Sequence, residues 1–289
     1  MSEPPLIGVI GGSGLYQLEN LTGLEELTVD TPFGPPSDIL MKGQLSGRSV
    51  VFLPRHGRGH RLLPTEINHR ANIWALRSLG VRFIICVTAV GSLQEDYAPG
   101  HVVLPDQYVD QTSRREFSTF FGEGIVAHVS PANPYSEGLR SILAESVTAN
   151  DLTAHRQGTY VNMDGPAFSS QAESKINRQL GLDVIGMTNV PEAKLAREAE
   201  IALATLAMVT DYDCWKPHED AVTTQSVLQH LLDNAENAKK ILTHAIPQIP
   251  TTADWPEHTP LSQAIATPRE LWPTATVAKL QPILAPYLA

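Results

Sequence analysis

Ile201-Ala-Leu-Ala-Thr-Leu-Ala-Met-Val209 runs directly into Thr210-Asp211-Tyr212-Asp213-Cys214-Trp215. A nearly continuous apolar run of this length reads as a strand covered on both faces, which places it in a sheet layered between helices. In open α/β sheets ligands collect beyond the carboxyl ends of the strands. Asp211 and Asp213, one residue apart, occupy that position. Taken alone, an Asp-x-Asp pair is explained as well by a turn whose side chains bond the local backbone, so the other strand ends have to decide.

Similar runs predict strands at Ile7–Ile10, Val50–Leu53, Phe83–Thr88, Val102–Leu104, Gly158–Met163 and Val184–Met187, besides Ala202–Val209. Helical spacing follows Pro64, with Thr65 as the expected N-cap, Ile67, Ala71, Trp74, Ala75 and Leu79 on one face, and a stop at Gly80. A longer amphipathic helix places Val227, Leu228, Leu231, Leu232, Ala235, Ala238, Ile241, Leu242 and Ala245 on one face. It is expected to pack on the sheet beside the Asp pair. Shorter helices are predicted over Ser136–Ala149, Ser170–Leu180 and Glu192–Glu198. Several strand-to-strand joins are too short for a helical crossover. The expectation is therefore an α/β fold, a single-domain mixed sheet flanked by helices. The domain spans residues 1–250, and a Pro-rich extension over 251–289 packs on it or on a neighbouring subunit. Eight prolines from Pro247 onward mark that change of composition.

With 289 residues, 42% hydrophobic and 18% charged, the chain has the balance of a globular protein with a sizeable core. A net charge of −10 argues against a nucleic-acid partner. Neither an apolar run of about 18 residues nor a basic start followed by an apolar segment is present. No membrane association is expected, and the location is expected to be cytoplasmic. Cys86 and Cys214 are too few for a disulfide scaffold, lack metal-ligand spacing, and are read as free thiols.

Other strand ends carry chemistry. Ile10-Gly-Gly-Ser-Gly-Leu15 offers backbone N–H groups and the Ser13 hydroxyl to an anion. It is not a dinucleotide fingerprint, because the third glycine of G-x-G-x-x-G is absent, and no triphosphate-binding loop pattern occurs. Leu53-Pro-Arg55-His56-Gly57-Arg58-Gly-His60 groups four cationic or titratable side chains, suited to phosphate oxygens. Thr88-Ala-Val-Gly91-Ser92 adds a hydroxyl and amide donors, Asp164-Gly-Pro-Ala167-Phe168 an aromatic ring, and Gly186-Met187-Thr188-Asn189-Val-Pro-Glu192 a thioether and a second threonine.

The ordered set Gly-Gly-Ser-Gly-Leu, Asp-Thr-Pro-Phe-Gly-Pro-Pro-Ser-Asp, Arg-His-Gly-Arg-Gly-His, Asn-His-Arg-Ala-Asn-Ile-Trp-Ala-Leu, Thr-Ala-Val-Gly-Ser-Leu, Gly-Pro-Ala-Phe-Ser-Ser, Met-Thr-Asn-Val-Pro-Glu and Thr-Asp-Tyr-Asp-Cys-Trp resembles the 5′-methylthioadenosine phosphorylases, of the trimeric purine nucleoside phosphorylase group. The resemblance covers roughly residues 6–250. It implies phosphorolysis of 5′-methylthioadenosine to adenine and 5-methylthioribose 1-phosphate, without metal or organic cofactor and with phosphate as co-substrate. It implies a homotrimer with no partner besides the nucleoside and phosphate. Ser13, Arg55, His56, Thr88, the Ala89 amide and Thr188 would hold phosphate. Phe168 would stack near the purine, and Met187 would contact the ribose. Asp211 and Asp213 would face N7 and the exocyclic amine. His60, Val227, Leu228 and a neighbouring subunit's His128 would surround the 5′-alkylthio group. Two carboxylates suit a 6-amino purine, where Asn in place of Asp211 would suit a 6-oxopurine; a 6-oxopurine or methylthioinosine phosphorylase is the alternative. The chain departs from the pattern at Ala167 and Gln171, each in place of an Arg, and at Asn189 and Val90, in places often held by Thr and Cys.

Overall fold

The computed structural model describes residues 4–12, 15, 18, 20–113, 117–216 and 224–288, and within 224–231 the backbone only. Ser13 and the side chains of Val227 and Leu228 therefore lie outside the described residues. The described strands are β1 (Leu6–Gly11), β2 (Leu21–Leu27), β3 (Leu40–Leu45), β4 (Arg48–Pro54), β5 (Val81–Ser92), β6 (Val102–Val103), β7 (Gln107–Asp110), β8 (Ala154–His155), β9 (Thr159–Asn162), β10 (Val184–Gly186) and β11 (Ala202–Asp211). The helices are α1 (His69–Ser78), α2 (Glu137–Thr148), α3 (Gln171–Gln179), α4 (Asn189–Glu198), α5 (Thr224–Ala245), α6 (Thr274–Lys279) and α7 (Gln281–Leu284).

All strands join one mixed sheet, and β5 is where it branches. β5 runs parallel to β1 and β11, while its last residues pair antiparallel with β10, Ile185 opposite Gly91 and Val184 opposite Ser92. This branching brings strands from two directions to one place. β11 explains its own apolar run: Ala202, Ala204, Leu206 and Met208 face a core with α2 and α5, whereas Ile201 and Leu203 face a second core with α1 and α4. Neither face is left to water, so alternation is lost from the sequence. α5 reaches the Asp pair's strand through Asn234 Nδ2, which donates to the Val209 carbonyl at 3.3 Å.

Several boundaries differ from expectation, among them β5, which runs on to Ser92 where Thr88 was expected to end it. The Thr65 region is a single 3-10 turn, Pro64–Glu66, closed by the Leu63 N–H donating to the Glu66 carboxylate at 2.9 Å. α1 starts at His69 because Asn68 is the side chain that caps it, accepting from the Ala71 N–H at 3.2 Å. α4 starts at Asn189, earlier than Glu192. β2, β3, β7 and β8 were not expected. β2 is solvent-exposed along most of its length, so it carries no buried-strand signal, and β8 is only two residues long.

The stretch after Pro250 enters the second core through Leu261, Leu280, Ile283 and Leu284. The Trp74 indole N–H donates to the Lys279 carbonyl at 3.0 Å, and Arg82 and His258 exchange side-chain-to-backbone bonds at 2.9 Å each way.

Candidate functional site

The ends of β4, β5, β10 and β11 meet on one side of the sheet, and two different environments lie there. The first is built on Arg55. Its backbone N–H donates to the Gly11 carbonyl at 2.9 Å, tying the end of β4 to the glycine turn after β1. Its side chain, 3% exposed, points inward. Nε and Nη2 fork onto the Glu192 carboxylate, Nη2 at 2.8 Å, and Nη1 donates to the Val87 carbonyl at 3.1 Å. A guanidinium has five N–H groups, and these bonds engage three of them. Glu192 also accepts from the Cys86 thiol at 3.2 Å. Burial alone would push Glu192 up, but the charge and hydrogen bonds of Arg55 outweigh it and hold the carboxyl below its ordinary range. The pair is therefore ionised and internally neutral.

His56 is pushed down to about 4, chiefly by burial, with Leu62 opposing. Its Nδ1 faces the Leu62 carbonyl at 2.9 Å. Since a carbonyl only accepts, Nδ1 carries the proton and neutral Nε2 offers a lone pair. Its ring stacks on His60 with centroids 4.3 Å apart. The cationic motif thus divides: Arg55 and His56 face inward, while Arg58 reaches Glu26 at 2.9 Å on the surface. Thr88 and Ala89 lie on β5, and Thr188, 4% exposed, precedes α4.

The second environment is the Asp pair. The β5–β11 ladder slips between Val209 and Asp211, where the strand is re-aimed. Asp211 accepts from the Thr210 hydroxyl and from the Asp213 N–H, both at 2.7 Å, two donors that suit an ionised carboxylate. Asp213 has φ 51°, and its buried Oδ2 makes no hydrogen bond of ordinary geometry. Burial pushes Asp213 up, and the nearby Ser174 and Ser169 hydroxyls pull it only part of the way back. Burial thus holds the Asp213 carboxyl toward the protonated form. Gly91 makes room for both: a Cβ there would lie 3.1 Å from Asp211 Oδ1 and 3.3 Å from Asp213 Cβ. The Cys214 thiol donates to the Ser169 carbonyl at 3.2 Å, joining this turn to the loop carrying Phe168.

Not every expected residue converges within one chain. Phe168 is 74% exposed. Met187 lines a cavity of about 490 Å3 with His69, Asn162, Asp164 and Phe117, and it is the one expected residue that does so. His128 lines a separate cavity with Tyr108, Lys194, Arg197 and Glu198. Among the described residues no cluster of three metal-ligating side chains is found.

Sequence reasoning gave no role to Glu192, His69 or Tyr160. Glu192 had a signal, a lone carboxylate in an otherwise apolar helix face opposite a strand-end arginine. His69 Nδ1 lies 3.8 Å from Glu192, and burial pushes this histidine down to about 4.

Residues 6–247 match the phosphorylase superfamily. An S-methyl-5′-thioadenosine phosphorylase of Thermosynechococcus vestitus is 52% identical over 98% of this chain and 99% of its own. Another, from Geobacter sulfurreducens, is 48% identical over 98% and 99%. A crystal structure of methylthioadenosine phosphorylase from an antarctic soil metagenomic library superposes with a TM-score of 0.93 at 48% identity, covering 98% of this chain and 100% of that one. Methylthioadenosine phosphorylase from Schistosoma mansoni in complex with adenine gives a TM-score of 0.82 at 36% identity, covering 90% and 99%.

Proposed function

The chain belongs to the phosphorylase superfamily, and from that premise we propose how its residues divide the reaction of an S-methyl-5′-thioadenosine phosphorylase. It is a pentosyltransferase that cleaves 5′-methylthioadenosine with phosphate, giving adenine and 5-methylthioribose 1-phosphate. A phosphate oxygen attacks C1′ of the ribose, the C1′–N9 bond breaks, and the electron pair passes to the purine, which takes up a proton at N7.

On the phosphate side act Ser13, the two remaining N–H groups of Arg55, His56, Thr88, the Ala89 amide and Thr188. Because Glu192 neutralises Arg55, binding rests on directed donors more than on net charge. Neutral His56 accepts a hydrogen bond through Nε2 from the P–OH of a monoprotonated phosphate, without taking the proton. On the base side, Asp213, which burial pushes toward the protonated form, would donate to N7 while Asp211 accepts from the 6-amino group of adenine. The observation that carries this reading is the burial-raised Asp213, whose Oδ2 makes no hydrogen bond of ordinary geometry, beside an Asp211 that accepts two bonds. Phe168 and Met187 flank the nucleoside. His60, Val227, Leu228 and His128 of the partner subunit surround the methylthio group in a cytoplasmic homotrimer. The exposed Phe168 and the separate place of His128 support assembly. No cofactor takes part, and residues 1–250 form the phosphorylase domain with 251–289 as its extension.

The test is base release from 5′-methylthioadenosine, methylthioinosine, adenosine and inosine, with and without phosphate. Phosphate-dependent adenine release with little hypoxanthine is expected. Preference for the 6-oxo substrates would overturn the carboxyl assignment, and turnover without phosphate would overturn the phosphate site.

A further inference from the structure

Tyr160, on β9, is fully buried, yet its hydroxyl makes no hydrogen bond of ordinary geometry. A buried phenol without a partner is costly and is normally satisfied. Its position is unusual as well. The hydroxyl oxygen lies directly over Gly186, where a Cβ would come within 1.8 Å of it, so β10 admits the phenol only because that residue has no side chain. Gly186 leads in two residues to Thr188. The antiparallel register of β10 with β5, Val184 opposite Ser92 and Ile185 opposite Gly91, carries the chain back toward Thr88. Tyr160 therefore ends between the two threonines. Its acidity is weakened above all by burial, with the Thr88 hydroxyl and the Thr188 backbone opposing, so the phenol remains neutral and keeps a proton to donate.

We propose that the Tyr160 hydroxyl is a positioning group for phosphate, accepting from the Thr188 backbone N–H and donating to the Thr88 hydroxyl. A hydroxyl that accepts from Tyr160 must send its own proton elsewhere, and the phosphate oxygen is the acceptor on offer. Thr88 Oγ1 also has the neighbouring Ala89 carbonyl within reach at 3.3 Å, and a phosphate oxygen would compete with it for that proton. Tyr160 has no exposed surface and does not touch phosphate itself; it sets which way Thr88 donates. The proposal rests on the reading of Thr88 and Thr188 as phosphate groups.

The experiment is steady-state kinetics of the full chain with 5′-methylthioadenosine and inorganic phosphate, each varied, for Tyr160→Phe, Thr88→Val, Thr188→Val and the double variant Tyr160→Phe/Thr88→Val. Tyr160→Phe should raise the KM for phosphate about tenfold, the scale of one hydrogen bond, and leave the KM for the nucleoside within about twofold. The double variant should be no worse than Thr88→Val alone, because the phenol acts through that hydroxyl. If both threonine variants raise the phosphate KM and Tyr160→Phe does not, the role given to Tyr160 is wrong while the phosphate site stands. If neither threonine variant changes it, the phosphate reading falls and the proposal with it. An equal rise in both KM values for Tyr160→Phe would show general loosening of the sheet and overturn the proposal too.

Discussion

Arg55–Glu192 and Asp211–Asp213 stand at neighbouring strand ends and treat buried charge in opposite ways. Glu192, 1% exposed, has a guanidinium fork and a thiol on its two oxygens, so its charge is fully answered from within. Asp213 has a carboxyl oxygen that nothing answers by ordinary hydrogen-bond geometry. The first arrangement holds strands β4 and β5 to helix α4 whether or not ligand is present. The second, on the proposed reading, is completed by the base. A rigid, neutral frame on one side and an unsatisfied edge on the other is what an enzyme needs to bind a base whose charge changes during reaction.

The largest expected effect breaks the closed side. Glu192→Gln leaves the buried Arg55 guanidinium without its counter-charge and should cost about 3–5 kcal/mol of folding free energy, read by chemical denaturation. A loss under about 1 kcal/mol would mean that the pair does not hold the frame. On the open side, Asp211→Asn should lower kcat/KM for 5′-methylthioadenosine about 100-fold, near 2.7 kcal/mol, while the denaturation midpoint stays put. A comparable stability loss in both variants would erase the contrast between the two sites.

Glu198 supplies an intermediate case. Its carboxylate accepts from the Phe120 N–H at 2.6 Å and the Thr119 hydroxyl at 2.8 Å, the nearby Lys194 is paired with Asp110, and burial raises the Glu198 carboxyl from 4.5 to about 7. A raised folded-state value favours the protonated form. The stability linked to it is complete below about pH 4.5 and is lost as pH rises through about 7. Glu198→Gln should match the unmodified protein near pH 4.5 and exceed it by about 2–3 kcal/mol near pH 8, measured as unfolding free energy against pH. An unchanging difference across that range would mean that Glu198 is not the group that titrates.

The apolar run before Asp211 was legible because β11 is buried on both faces, and the second half of the α5 stripe because Ala238, Ile241, Leu242 and Ala245 are buried on one side, although Leu232, expected on that face, is 65% exposed. The exposed β2 and the two-residue β8 left no such trace. The start of α1 was misplaced because Thr65 and Asn68 both look like caps in sequence, and only packing selected the second. At the site, the residue types at each strand end could be read from their order along the chain.

By itself the sequence determined the layered fold, the strand ends that carry donors and carboxylates, and the family, since these depend on local pattern and motif order. Only the tertiary structure decided that Arg55 is answered by Glu192 across 137 residues of chain, that His56 is neutral, that Asp213 Oδ2 makes no hydrogen bond of ordinary geometry, and that Tyr160 lies over Gly186. Each of those depends on desolvation and on which distant groups come within hydrogen-bond reach. Neither is written in the order of residues until the sheet has branched and closed over them.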